Sequence, residues 1–236
     1  MFYINVVFVF FNKHIMPSVL ERIKKIQSDI SQQQTDSAIS PKIIAVSKTF
    51  PLEHIKPLVD LGHIHFGENK VQEAEHKWTT IKKENKNLKI HMLGKLQTNK
   101  VKKAISIFDF IHSVDNKKLA EILKKYEHEL NKKLSYFIQV NFADEKQKSG
   151  LPASDVFSFY EYCKNDLKLN VIGLMCFPPF GVDPTNFFKE AYQLNQKIGL
   201  KELSMGMSND YLQAIKLGST YVRVGSAIFG ERKSNE

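Results

Sequence analysis

The chain has 236 residues, of which 42% are hydrophobic and 25% charged, with 11 Gly and 8 Pro. This composition excludes a collagen-like, low-complexity or wholly disordered protein and leaves one large α/β domain or two small ones. With 34 Lys and Arg against 25 Asp and Glu, the net charge is +9, which favours anionic partners.

Residues 1–11 (MFYINVVFVFF) are strongly apolar. The run is too short to span a bilayer, has no basic residue ahead of it and no small-residue cleavage site behind it. Residues 1–16 are therefore expected to be an extension outside the core, or an added strand or helix, with Met16 as an alternative start and no membrane association. Residues 17–232 are expected to form the core and 233–236 a tail. A helix is predicted over 18–34. Eight short apolar runs follow: 43–47 (IIAVS), 63–67 (HIHFG), 90–94 (IHMLG), 108–114 (FDFIHSV), 136–141 (YFIQVN), 171–176 (VIGLMC), 202–205 (ELSM) and 221–225 (YVRVG). Several are continuous rather than alternating, as parallel strands covered on both faces require.

Amphipathic stretches separate them, with helices predicted over 52–61, 70–84, 98–106, 116–131, 153–165, 185–198 and 209–217. Asp115 and Ser154 stand where N-caps are expected, and Pro51 and Pro184 near helix starts; Pro57 argues against the first of these helices. Eight strands alternating with helices predict an α/β fold, a single-domain (β/α)8 TIM barrel with an extra N-terminal helix; a doubly wound open sheet is the alternative. The basic residues lie mostly as doublets inside the helical stretches (Lys82-Lys83, Lys102-Lys103, Lys117-Lys118, Lys124-Lys125, Lys132-Lys133) and read as solvated helix faces. Residues 97–103 (QTNKVKK) are basic but carry no aromatics for base stacking, so no nucleic-acid partner is expected.

In such barrels binding groups sit at the C-terminal ends of the strands. There lie Lys48, Glu68-Asn69, Gly94, Ser113, Asp115, Asn141, Met175-Cys176, the segment from Met205 to Ser208, and Arg223 with Gly225-Ser226. Most polar residues at strand ends simply begin loops. Lys48 directly follows a buried strand; at a barrel rim, desolvation and nearby cations free a lysine amine to attack an aldehyde. Residues 220–230 (TYVRVGSAIFG) leave a strand through Gly225-Ser226 into a short turn or helix. A bare Gly225 and the N–H groups behind it suit a phosphate, with Ser208 adding a hydroxyl; a tight turn closing the barrel is the alternative. First and last strands are neighbours in a closed barrel. An aldehyde that also carries a phosphate, such as pyridoxal 5′-phosphate (PLP), fits both features.

Other patterns lead nowhere. Gly94-Lys95 lacks the upstream glycine of a P-loop, and there is no G-x-G-x-x-G. His63 and His65 share a strand face, but nothing completes a metal set. Cys163 and Cys176 lack C-x-x-C spacing and are expected to be free thiols in a reducing, cytoplasmic setting, Cys176 buried.

The words IIAVSKTFP, HFGENKVQE, HMLGKLQTNK, HSVD, FIQVN, DEKQKSGL, GLMCFPP and LSMGMSNDYLQAIKLGSTYVRVGSAIFGER together resemble the pyridoxal phosphate homeostasis protein family (YggS/PROSC type), from about residue 18 to 232. That family is a single barrel similar to the N-terminal domain of alanine racemase and holds PLP as an internal aldimine. The resemblance implies that Lys48 is the aldimine lysine and that Asn69 lies beside the cofactor. It implies Ser208, Gly225 and Ser226 as phosphate ligands, Arg223 as the partner of the pyridine nitrogen, and Met205 near the ring. The family often has Thr where this chain has Ser226; both offer a hydroxyl. An arginine does not readily give a proton to the ring nitrogen, which leaves the cofactor a weak electron sink.

The opposing tyrosine of alanine racemase comes from a second domain, and with the barrel expected to end near Gly230 no such domain is expected here. The expected role is therefore PLP binding and delivery in vitamin B6 homeostasis, with PLP-dependent apoenzymes as recipients, no turnover and a monomeric state. A PLP-dependent racemase or lyase is the alternative, with Tyr160, Tyr162 or a tyrosine from a partner chain as a second base.

Overall fold

In the computed structural model the described residues are 18–33, 40–143 and 149–231. The expected extension at 1–16, the tail at 233–236 and most of the DEKQKSGL word lie outside them. Nine strands and nine α-helices are described: α1 (Val19–Gln33), β1 (Lys42–Val46), α2 (Leu52–Asp60), β2 (His65–Glu68), α3 (Val71–Glu84), β3 (Lys89–Met92), α4 (Val101–Ile107), β4 (Phe110–Val114), α5 (Lys117–Glu129), β5 (Ser135–Asn141), β6 (Leu151–Pro152), α6 (Val156–Glu161), β7 (Val171–Cys176), α7 (Thr185–Ile198), β8 (Glu202–Met207), α8 (Tyr211–Lys216), β9 (Tyr221–Val224) and α9 (Ser226–Phe229). Every pairing is parallel. The order runs β4-β3-β2-β1-β9-β8-β7-β5, and β4 pairs with β5. That last pairing closes eight strands into a TIM-like barrel surrounded by helices and excludes the open doubly wound sheet. The two-residue β6 is an extra piece on the edge of β5, too short to leave a pattern in the sequence.

The strands sort side chains by parity. In β1, Ile44 and Val46 face the interior with Phe137, Met175 and Tyr221. Ile43 and Ala45 join the larger layer between strands and helices. That layer also holds Trp78, Phe66, Phe188 and the apolar face of α1, whose Ile23, Ile26 and Ile30 are buried. α1 packs on α2, α8 and α9. It begins with a capping box: the Ser18 hydroxyl accepts from the Glu21 N–H at 3.2 Å, and Glu21 Oε2 accepts from the Ser18 N–H at 2.6 Å.

Two cap expectations are corrected. α5 is capped by Asn116, whose side chain accepts from the Leu119 N–H at 2.9 Å, while Asp115 accepts from the Gly150 N–H at 3.2 Å. Ser154 donates to Asp155 and caps nothing. The single helix expected over 153–165 is a 3-10 turn, α6 and a π-turn in succession. α2 runs through Pro57.

Several of the lysine doublets tie neighbouring elements together rather than only facing water. Lys82 reaches the Ile107 carbonyl and Asp109, Lys102 pairs with Glu129, and Lys132 donates to the Ser106 carbonyl.

Candidate functional site

β1 delivers Lys48 to the C-terminal mouth of the barrel. By parity Ser47 points outward, into the layer beneath α3, and its hydroxyl donates to Glu68 Oε1 at 2.7 Å. Trp78 Nε1 donates to the same oxygen at 3.1 Å and Lys77 Nζ at 3.2 Å. Lys77 also donates to the Ser47 carbonyl at 2.8 Å and to Glu73 at 2.6 Å, and Glu73 accepts from the Thr49 N–H. Both neighbours of Lys48 are thus clamped to β2 and α3. Thr49 takes a left-handed φ of 68°, a conformation that costs a threonine energy and that the clamp maintains. Glu68 is fully buried, its Oε2 has no hydrogen-bond partner among the described residues, and burial pushes its carboxyl pKa up. Glu68 stood among the strand-end residues in the sequence; nothing there marked Glu73, Lys77 and Trp78, one helix away, as its partners.

On the other side of the seam, β9 carries Arg223. The guanidinium is buried, donates Nη1 to Ser204 Oγ at 2.9 Å and Nη2 to the Cys176 carbonyl at 2.8 Å, and lies 5.5 Å from the Phe177 ring centroid. Burial lowers its pKa to about 10, so it stays cationic at neutral pH. After β9 the chain turns at Gly225 into α9. Ser208 Oγ accepts from the N–H groups of Gly225 and Ala227, both at 3.2 Å. These are amides that the start of α9 leaves without intrahelical partners. Gly225 has an ordinary negative φ of −115°, and a Cβ there would meet nothing nearer than the Val46 carbonyl oxygen at 3.4 Å. Neither backbone strain nor packing demands glycine; a side chain would instead take up room in the cavity that Gly225 lines.

That cavity, about 640 Å³, opens between these two sides. Lys48, Asn69, Ser208, Arg223, Gly225 and Ser226 all line it. Asn69 sits there because Gly94 lets the loop after β3 pass close beneath it: a Cβ at Gly94 would lie 2.4 Å from the Asn69 carbonyl oxygen. Met205 does not line the cavity. It is fully buried in the layer between barrel and helices, on the outward parity of β8; the left-handed Gly206 (φ 86°) precedes Met207, and Met175 and Met207 are the methionines at the mouth.

Among the described residues, the titratable ones lining the cavity are Lys48, Asp210 and Arg223, and Asp210 accepts from the Met207 N–H at 2.5 Å. Tyr160 and Tyr162 lie elsewhere. Tyr160 is buried under Lys164, 5.3 Å from its ring, and Tyr162 donates to Glu121 at 2.8 Å. Both cysteines are free and buried, and burial pushes their thiols up to about 12. No group of three or more metal-ligating side chains occurs among the described residues, and no helix there is long and apolar enough to cross a membrane.

Comparison with known proteins places this arrangement. Residues 22–233 match the family described as alanine racemase, N-terminal domain. A pyridoxal phosphate homeostasis protein of Aquifex aeolicus (strain VF5) is 35% identical over 91% of this chain and 96% of its own. The chain belongs to the pyridoxal phosphate homeostasis protein family. Another pyridoxal phosphate homeostasis protein, from Vibrio cholerae, is 36% identical over 92% of this chain and 98% of its own. Among solved structures, PipY of Synechococcus elongatus PCC7942 with PLP bound superposes with a TM-score of 0.80 at 33% identity, covering 90% of this chain and all of PipY. Alanine racemase of Clostridium difficile 630, at 14% identity and a TM-score of 0.69, shares the fold.

Proposed function

We propose that the chain holds pyridoxal 5′-phosphate as a reversible imine of Lys48 and serves PLP homeostasis as a binding and delivery protein. One observation carries this reading: an amine, a buried guanidinium and a hydroxyl-amide cradle line one cavity on adjoining strands. The donor set suits each part of the ligand. Lys48 faces the aldehyde. The hydroxyls of Ser208 and Ser226 suit the phosphate: Ser208 Oγ accepts from the Gly225 and Ala227 amides and keeps its own proton to donate, and the bare Gly225 leaves the phosphate room. Arg223 suits the pyridine nitrogen, and Asn69 lies beside the ring. When bound, PLP supplies a reactive aldehyde; an arginine at its ring nitrogen keeps it a weak electron sink. We further propose a reducing, cytoplasmic setting, a monomer, and PLP-dependent apoenzymes as recipients.

The test is optical. On titration with PLP the protein should gain a visible imine band that borohydride removes, with the reduced label on Lys48 by peptide mapping. Lys48→Ala should bind without the band. Amino-acid racemisation by the purified protein, lost in Lys48→Ala, would replace this reading with the enzymatic one.

A further inference from the structure

Beneath the cavity, inside the barrel, three imidazoles stand in an unbroken hydrogen-bonded file. His65 Nδ1 lies 2.9 Å from His91 Nε2, and His91 Nδ1 lies 2.9 Å from His112 Nε2. His112 Nδ1 lies 3.0 Å from Ser204 Oγ, which is the atom that accepts from Arg223 Nη1 at 2.9 Å. The histidines occupy inward positions on β2, β3 and β4, while Ser204 and Arg223 come across the barrel from β8 and β9. His91, His112 and Ser204 are fully buried. Aromatic rings fix the imidazole planes: His91 stacks on Phe110 at 4.3 Å and His112 on Phe137 at 4.1 Å. His65 ends the file at a second cavity, at the opposite end of the barrel, lined also by Lys42 and His63.

The donors determine which way such a file runs. Arginine only donates. The Ser204 oxygen that accepts from it has one proton to give, and His112 Nδ1 is within reach. If Nδ1 of His112 accepts, its Nε2 carries the proton and donates to His91 Nδ1; the same step repeats to His65. The reverse order would aim an imidazole N–H at an oxygen already polarised by a guanidinium, and would leave the Ser204 proton to find another acceptor in a buried space. Cations stand at both ends. Arg223 is at one, with Cys176 and Asp210 near it. At the other, His63, Lys42 and Lys89 flank His65, with Asp109 opposing them and Glu202 paired to Lys42. Burial and this surrounding charge hold all three imidazoles neutral: His65 is lowered to about 4, and His91 and His112 lie well below their ordinary value.

We infer that His65, His91 and His112 form a one-way chain of neutral Nε2–H imidazoles, and that it makes Ser204 and His112 positioning residues for Arg223. The second half rests on the proposed role of Arg223 against the pyridine nitrogen. A hydroxyl whose proton is committed to His112 presents its lone pairs to the guanidinium, so the arginine is held in place before the ligand arrives.

Long-range ¹⁵N–¹H correlation spectra of the ligand-free, full-length protein at neutral pH read the tautomers directly. His91 and His112 should both carry their proton on Nε2; Nδ1–H tautomers or imidazolium at either would overturn the chain. In Ser204→Ala the tautomer balance should change at His112 and also at His91, which Ser204 does not touch; an unchanged His91 would overturn the coupling. Ser204→Ala and His112→Phe should each weaken PLP binding by about tenfold and shift the absorbance of the complex, with the exposed His54→Gln unchanged. Wild-type affinity and spectrum in both variants would overturn the positioning role. Should a variant fail to fold, the wild-type tautomers still decide the chain. Should the wild type itself not bind PLP, the proposed function fails while the tautomer result stands.

Discussion

Arg223 gives Nη1 and Nη2 to two neutral acceptors, a hydroxyl and a carbonyl, so its charge is not neutralised by those bonds and remains available to the cavity. Ser208 plays a related part at the other end of the ligand, because its oxygen accepts from the amides of Gly225 and Ala227 and is held there with its own proton left to donate to the phosphate. Removing that oxygen in Ser208→Ala should lower PLP affinity by about tenfold, near 1.4 kcal/mol, with little change in melting temperature; equilibrium titration followed by fluorescence checks it. Gly225→Ala should separate binding from folding in the same way. Its Cβ meets the protein only at ordinary contact distance, so urea denaturation should match the wild type while PLP binding weakens; a destabilised protein with intact binding would show that Gly225 serves the backbone instead. At this scale the sequence was legible where chemistry and strand position coincided. Lys48, Asn69, Ser208, Arg223, Gly225 and Ser226 all reach one cavity. Met205 was implied by the resemblance alone; alternation along β8 turns it outward with Leu203, into the layer between barrel and helices. The clamp of Glu68 by Trp78 and Lys77 was invisible because its partners meet only once α3 packs on β2.

The elements are positioned by close contacts that short patterns only partly announce. β7 and β8 approach so closely at Gly173 that a Cβ there would lie 1.9 Å from the Glu202 carbonyl oxygen. Gly173→Ala should therefore cost about 3 kcal/mol or more, read as a shift in the urea midpoint, since backbone rather than a mobile side chain must move. Cap losses are milder: Asn116→Ala removes the acceptor for the Leu119 N–H and should cost about 1 kcal/mol. Strand and helix positions were readable because buried parallel strands appear as β-branched runs, and those runs differ from the amphipathic stretches between them. β7 and α7 coincide with their expected ranges, 171–176 and 185–198. The cap of α5 was misplaced by one residue because Asp115 and Asn116 are both good caps, and only the tertiary contact of Asp115 with Gly150 decides between them. The broken helix after β6 escaped because a 3-10 turn, an α-turn and a π-turn share nearly the same apolar spacing.

Taken as a whole, the barrel encloses a polar file where an apolar interior would be expected, and that choice ties stability to pH. Unfolded, each imidazole takes up its proton near its ordinary value; folded, His65 does so only near 4, and burial holds His91 and His112 well below their ordinary value. Between those limits the unfolded chain binds more protons. This stability is fully present above the ordinary imidazole range and is lost as pH falls toward 4, by up to about 1.4 kcal/mol per pH unit for each imidazole. Glu68, with its raised pKa, works in the opposite direction at the acidic end. The urea midpoint should therefore fall clearly between pH 7.5 and pH 5; a flat profile would mean that the folded imidazoles titrate where the unfolded ones do. The closed barrel was legible from the alternation of runs and helices. The file was not, because His65, His91 and His112 are scattered through three strands and only the barrel's curvature aligns them.

The most direct measurement is a crystal structure of the protein grown with excess PLP. The predicted result is continuous density from Lys48 Nζ to the ligand's aldehyde carbon, the phosphate on the hydroxyls of Ser208 and Ser226, and Arg223 at the ring nitrogen. Density for PLP elsewhere, with Lys48 turned to solvent and the Gly225 turn bare, would contradict it.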